Sequence, residues 1–136
     1  MTTFQTNPFF PMPTGELSLA LLDNNSAPSS SIEAAQNFTL RVSWNFNTNI
    51  PGWLIPVEIK AYADELGGAF DGQIGPPPVV NLPNLPSSGS ADLVVPGGTL
   101  PDPSTGSSVY RIVVVMAGAG GGHDLAAFAE VTASVR

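Results

Sequence analysis

Apolar and polar side chains alternate along several short segments of the chain. The clearest segment is residues 38–46, where every second side chain is apolar: Phe38, Leu40, Val42, Trp44 and Phe46. Since successive side chains of a β-strand point to opposite faces, this period of two predicts a strand with one buried face. Similar segments predict further strands at residues 16–22, 53–63, 90–96, 109–117 and 124–136.

Other segments are more ambiguous. Ser30 and Glu33 match a helix capping box, which leaves one helical turn open there. A helix over residues 124–130 is the alternative for the last segment, but the alternation continues past it into β-branched residues, so we predict a strand. Residues 64–90 are rich in Gly, Pro, Asn and Ser, and we expect irregular segments with one short edge strand near residues 78–82.

Turn-forming residues divide the apolar content into these short pieces. Fourteen glycines and fourteen prolines interrupt a chain of 136 residues that is 43% hydrophobic and 11% charged. This composition is typical of a folded all-β protein, and the length suits one domain with a single core. We therefore predict a two-sheet sandwich of about seven mostly antiparallel strands over residues 16–136. An extended Pro- and Phe-rich arm over residues 1–15 precedes it.

The predicted strands follow one another in a familiar order. FTLRVSW is followed by WLIPVEIKAYA, then ADLVVP, then VYRIVVV with a tyrosine at the strand entrance, and then a final strand. Over residues 16–136 this order resembles immunoglobulin-like and fibronectin-type-III-like modules of the cysteine-free bacterial kind. The resemblance implies an immunoglobulin-like sandwich with Trp53 as the core tryptophan of the third strand and Tyr110 as the tyrosine corner. Because the chain has no cysteine, it departs from antibody-type domains.

The charge balance restricts the kinds of partner. Eleven acidic residues outnumber four basic ones, which gives a net charge of −7. Nucleic acids and anionic lipids need clustered Lys and Arg, so neither a nucleic acid nor a membrane is an expected partner. No apolar run reaches the ~18–20 residues of a membrane helix, and the first residues do not resemble a signal peptide. We expect a protein that is cytoplasmic when it is synthesised. A later place in a released particle is compatible with this expectation.

A glycine-rich segment, MAGAGGGHD at residues 116–124, contains the single histidine of the chain. A phosphate-binding loop would need a following helix and usually a Lys with Ser or Thr, whereas this segment lies between two predicted strands. His123 and Asp124 point to opposite faces of a strand, and one histidine without cysteine cannot complete a zinc site. We predict a flexible hairpin turn, and we expect no catalytic residue, metal ion or cofactor.

The alternative interpretation is a ligand-binding sandwich. The acidic loop 64–71 could supply oxygen ligands to calcium, although without EF-hand spacing. An enzyme is a third alternative, with Asp64 and Asp71 as a candidate carboxylate pair of a glycosidase. Trp44 and Trp53 could stack on a sugar, but both fall on the buried phase of their strands. A carbohydrate or calcium site would use the loops at residues 64–75, 96–106 and 118–124.

Apolar residues also occur on the outward phase of three strands. If Tyr110 faces the core, every second residue after it does so too, and the valines between them point outward. The outward apolar residues are Leu54, Tyr62, Val113, Val115 and Phe128. Contiguous exposed apolar surface of this kind marks contact sites between proteins. The alternative is that the aromatic N-terminal arm folds back and covers this face.

The N-terminal arm is a second candidate contact, with the apolar side chains Phe4, Phe9, Phe10 and Met12. Its prolines prevent a regular strand ladder, so the arm lies across a surface, either on its own domain or on a neighbouring molecule, and we expect the neighbour. The sequence thus predicts a non-enzymatic, self-assembling or adhesive subunit of an oligomer, filament or larger particle. Its partner is a second copy of the chain or another protein.

Overall fold

The computed structural model describes residues 2–3, 5–6, 15–46, 57–75, 79–80, 87–103, 106–120 and 123–136, with the backbone alone at 2–3, 5–6, 79–80, 119–120 and 123–125. Eleven β-strands and no helix occur in this part of the chain. The strands are β1 (Thr2–Thr3), β2 (Gln5–Thr6), β3 (Gly15–Leu22), β4 (Ser31–Ile32), β5 (Phe38–Phe46), β6 (Val57–Glu65), β7 (Asp71–Ile74), β8 (Val79–Val80), β9 (Ser88–Val95), β10 (Ser108–Gly120) and β11 (His123–Val135).

The strands form two sheets. The small sheet has the order β1-β3-β5-β9, and the large sheet has the order β2-β11-β10-β6-β7, with β4 beside β11 and β8 beside β6. The pairing of β4 with β11 is parallel, and the other ladders are antiparallel. The order β3-β5-β9 opposite β11-β10-β6-β7 is that of an immunoglobulin-like sandwich. The prediction of an all-β, two-sheet sandwich is confirmed, with seven strands of four or more residues and four of two residues.

Every second residue of the main strands points into the core between the sheets. The buried residues of β5, β6 and β10 include Phe38, Leu40, Val42, Trp44, Phe46, Val57, Ile59, Ala61, Tyr110, Ile112, Val114 and Met116. Trp44, only 6% exposed, is therefore a core residue, as its phase predicts. Opposite it lies Gly89 on β9, where an added Cβ would come within 2.7 Å of the indole Cζ2 atom. A glycine at this position leaves room for the indole.

The segment between β6 and β9 is more regular than its composition indicates. We expected irregular chain with one edge strand near residues 78–82, and the structure adds β7 at the edge of the large sheet, paired with β6. Only Ile74 of β7 is buried, so the segment DGQI lacks the apolar alternation that identifies a strand. In place of a helical turn from Ser30, the chain forms β4 beside β11, and a turn begins at Ala34.

The described parts of the N-terminal arm lie on this same chain. Thr2–Thr3 pairs with β3 of the small sheet, and Gln5–Thr6 pairs with β11 of the large sheet. These pairings differ from the expectation that the arm reaches a neighbouring molecule, because its first residues find open strand edges within their own domain. The predicted contact residues outside the described part of the chain are Phe4, Phe9, Phe10 and Met12 of the arm and Leu54 of the segment 53–63. Trp53 lies outside it as well.

Candidate interaction surface

The hairpin of β10 and β11 is the longest ladder in the described chain. It joins thirteen residue pairs, from Ser108 with Val135 to Gly120 with His123. The glycine-rich segment is therefore a hairpin, as predicted, but Gly118 and Gly120 belong to the strand and only residues 121–122 connect the two strands. The ladder between β10 and β11 therefore extends past the alternating apolar residues and into the glycine-rich segment. The side chains of His123 and Asp124 lie outside the part of the chain described.

Four of the predicted contact residues meet on the outer face of the large sheet, and we call them the apolar patch: Tyr62, Val113, Val115 and Phe128. Val115 is the direct partner of Phe128 on β11, and Val113 is the direct partner of Tyr62 on β6. The four side chains therefore form a continuous diagonal across three strands. Phe128 is 43% exposed, Tyr62 is 37% exposed, and the two valines are half-buried.

Charged residues surround the apolar patch. Lys60 lies beside Val115 on β6, and Glu130 lies beside Val113 on β11. Beyond the ends of the patch, Arg111 pairs with Asp64 at 3.6 Å, and Lys60 reaches back to Glu58 at 3.3 Å. An apolar centre with a charged rim is the usual composition of a protein interface.

The outer face of the small sheet has a different composition. Its outward positions carry Glu16, Ser18, Ser43, Asn45, Ser88 and Ser90, with one exposed valine, Val94. Two hydrogen bonds, at 2.8 and 3.0 Å, join Arg41 to the carboxylate of Asp92, and the side-chain hydrogen bond holds the pKa of Asp92 below its ordinary value. A polar outer face is therefore compatible with this sandwich, and the apolar patch is not a requirement of strand formation.

The ligand-binding alternative combines three loops, and the strand register separates them. On β10, Tyr110 is paired with Glu65 at one end of the sheet, and Gly118 is paired with Val57 near the other end. Eight residues of strand separate these levels by roughly 27 Å. The loops 64–75 and 96–106 adjoin the first end, whereas residues 118–124 adjoin the second. The three loops therefore do not converge on one site. The sequence alone did not reveal this, because it does not show which ends of the strands meet.

The two acidic residues of the candidate carboxylate pair do come together. Asp64 on β6 and Asp71 on β7 are direct partners in the ladder. Both point to the outer face of an edge hairpin, where Arg111 already pairs with Asp64. No group of three or more His, Cys, Asp or Glu side chains that could hold a metal ion occurs among the described residues.

Tyr110 has the position but not the bonding of a tyrosine corner. It lies near the start of β10 and is buried, but its hydroxyl donates a hydrogen bond to Oε2 of Glu65 at 3.2 Å. The tyrosine corner implied by the resemblance would bond to the backbone instead. The difference follows from the register, which places Glu65 directly opposite Tyr110. Burial raises the pKa of the phenol, and the charge and hydrogen bond of Glu65 raise it further.

The structure also contains a polar cleft that the sequence pattern does not predict. It has a volume of about 190 Å³ and lies where the loop after β3, the turn after β4 and the end of β11 meet. Its lining includes Asn24, Asn25, Gln36 and Asn37, and an ion pair of 3.2 Å between Arg136 and Glu33. The lining offers hydrogen bonds from exposed groups and no aromatic surface for stacking.

The described part of the chain contains no helix that could span a membrane. Sequence comparisons do not assign the chain to a known group: no protein-family model matches it, and no curated protein has a significantly similar sequence.

Proposed function

We propose that this protein is a non-enzymatic structural subunit that associates with further copies of itself through the apolar patch. The observation that carries the proposal is the unbroken diagonal from Phe128 to Tyr62 on the large sheet, opposite a small sheet whose outer face is polar. The patch is small compared with the largest apolar patch on a typical monomer, about 300–600 Å², so its contrast with the polar small sheet carries the proposal rather than its size. The charged rim supports the same interpretation.

The size of the patch determines how strong a self-association we expect. Its four side chains expose roughly 200 Å² of apolar surface, which is worth about 5 kcal/mol per copy when it is buried. Association itself costs about 4–15 kcal/mol, so two patches in contact support a weak complex, with a dissociation constant in the micromolar range or above. A subunit with such contacts assembles where its local concentration is high.

The non-enzymatic part of the proposal rests on the distribution of reactive groups. The chain has one histidine and no cysteine. The carboxylates Asp64 and Asp71 lie on an outer edge hairpin, and Arg111 already neutralises one of them. A carboxylate pair that cleaves glycosidic bonds needs a cleft that holds the sugar between the two groups.

The test is the mass of the protein in solution as a function of concentration. In sedimentation velocity, we expect the weight-average mass to rise above that of the 14.0 kDa monomer between about 10 and 500 μM. Phe128→Ser should weaken this association at least tenfold. Val94→Ser is the matched control, since Val94 is 53% exposed on the small sheet and should not affect association. A wild-type protein that stays monomeric, or a Phe128→Ser variant that associates equally well, would overturn the proposal.

A further inference from the structure

The apolar patch has opposite charges on its two sides. One row of the large sheet runs from Phe128 through Val115 to Lys60, and the next row runs from Glu130 through Val113 to Tyr62. The patch therefore follows the diagonal from Phe128 to Tyr62. Lys60 lies on one side of that diagonal and Glu130 lies on the other, each directly beside a central valine.

We infer that two copies of the chain pack large sheet against large sheet about a two-fold axis along this diagonal, so that Lys60 of each copy faces Glu130 of the other. The inference rests on the proposed self-association and adds its geometry. Rotation by half a turn about an axis in the interface exchanges the two sides of that axis. The lysine side of one copy then lies over the glutamate side of the second copy, and the contact occurs twice.

The other simple two-fold axes through the centre of the patch are less favourable. An axis along β10 places Phe128 over Lys60 and Tyr62 over Glu130, and an axis across the strands places Phe128 over Glu130. The second diagonal places Lys60 over Lys60 and Glu130 over Glu130. Only the diagonal from Phe128 to Tyr62 pairs apolar with apolar side chains and lysine with glutamate.

Charge complementarity is important for an acidic chain. Two copies with a net charge of −7 each repel one another, so a face that associates needs local attraction. The outer face of the large sheet is acidic in sum, because it carries Glu58, Asp64, Asp71 and Glu130 against Lys60 and Arg111. The attraction therefore has to come from the placement of Lys60 and Glu130 on opposite sides of the patch. In the inferred geometry Glu130 gains a cationic partner from the second copy.

The available area is sufficient for a weak dimer. The strands β11, β10 and β6 are spaced at about 4.8 Å and each contribute about nine residues at about 3.4 Å, and β7 contributes its four residues, which together give a face of roughly 500 Å². Two such faces bury about 1,000 Å², which is the lower limit for a specific contact and less than a typical stable complex buries.

The experiment exchanges the two charges. Lys60→Glu and Glu130→Lys each place two pairs of like charges in the interface, so each variant alone should associate at least tenfold more weakly than the wild type at low ionic strength. An equimolar mixture of the two variants restores both opposite-charge pairs and should form heterodimers within about threefold of the wild-type affinity. The double variant should recover homodimers. Sedimentation velocity measures the affinities, and native mass spectrometry distinguishes heterodimers.

The matched controls are Arg41→Glu and Asp92→Lys, which change the net charge by the same amounts on the small sheet and should leave association near the wild-type value. If the mixture and the double variant stay as weak as the single variants while Phe128→Ser abolishes association, the inferred axis is wrong and self-association through the patch stands. If the purified wild type is monomeric and the patch serves a different protein, both proposals fall.

Discussion

At the scale of single residues, Tyr110 connects the core to a charged group. Its ring packs edge-on against Phe70, with 6.0 Å between the ring centroids, and its hydroxyl bonds to Glu65. The pKa of Tyr110 is raised above the ordinary value of 10.0, chiefly by burial. The unfolded chain therefore loses this proton first as the pH rises. The stability that depends on the protonated phenol of Tyr110 is complete below the pKa of this group in the unfolded chain. It is lost as the pH rises through the pKa of Tyr110 in the folded chain.

Tyr110→Phe tests this coupling. Loss of the hydrogen bond should lower the free energy of unfolding by about 1 kcal/mol at neutral pH. Above pH 10 the variant should lose stability less steeply than the wild type, because it has no buried phenol to ionise. Urea denaturation from pH 7 to 11 measures both effects. Tyr62→Phe is the control, since it removes the hydroxyl of the other, exposed tyrosine. If the free energy of unfolding falls equally steeply with pH in the wild type and in Tyr110→Phe, the argument is contradicted.

At the scale of elements, β7 is the least favourable of the four longer strands of the large sheet. It has four residues, it lies at an edge, and Asp71 sits directly opposite Asp64. Like charges in directly opposite positions destabilise a strand pair. Asp71 therefore weakens the attachment of β7 to β6, and the pairing with Arg111 compensates only one of the two carboxylates.

Asp71→Lys should strengthen this hairpin. Replacing a like-charge pair with an opposite-charge pair is expected to raise the free energy of unfolding by about 0.2–1 kcal/mol. Gln73→Lys is the control, because it also introduces a lysine on β7 but at the position opposite Tyr62 instead of Asp64. Thermal and urea unfolding compare the variants. A smaller gain for Asp71→Lys than for Gln73→Lys would contradict the prediction. A rise in the melting temperature of the wild type with millimolar calcium, absent in Asp71→Lys, would favour the calcium alternative instead.

At the scale of the whole molecule, the N-terminal arm joins the two sheets. Residues 2–3 extend the small sheet beyond β3, and residues 5–6 extend the large sheet beyond β11. Both pairings lie at the same open side of the sandwich, where β3 and β11 would otherwise be edges. An arm that closes this side stabilises its own domain through backbone hydrogen bonds, whatever its aromatic side chains contact.

Deletion of residues 2–13 should therefore destabilise the domain. A few net hydrogen bonds at about 1 kcal/mol each give a loss of roughly 2–3 kcal/mol, and we expect the melting temperature to fall by several degrees. Calorimetry on a monomeric background, provided by Phe128→Ser, measures this loss without association. If the truncation leaves the melting temperature unchanged in this background, and the same truncation of the wild type abolishes assembly, the arm acts on a neighbouring molecule, as the sequence alone led us to expect.

Local alternation in the sequence determined which side chains lie inside. The inward residues of β5, β6 and β10, and the outward positions of Val113, Val115 and Phe128, follow from a period of two that each strand carries in its own residues. The turn-rich composition further favoured an all-β fold. These features need no knowledge of the pairing partner, because burial of one face is encoded locally.

Only the tertiary structure decided which residues are neighbours across strands. Three features depend on the strand register: the position of Lys60 and Glu130 on opposite sides of the patch, the hydrogen bond between Tyr110 and Glu65, and the separation of the candidate loops. Register is set by contacts between segments far apart in the chain, and a shift by one residue would reverse every face. The strand β7 also depends on such contacts, since its polar residues become a strand only beside β6.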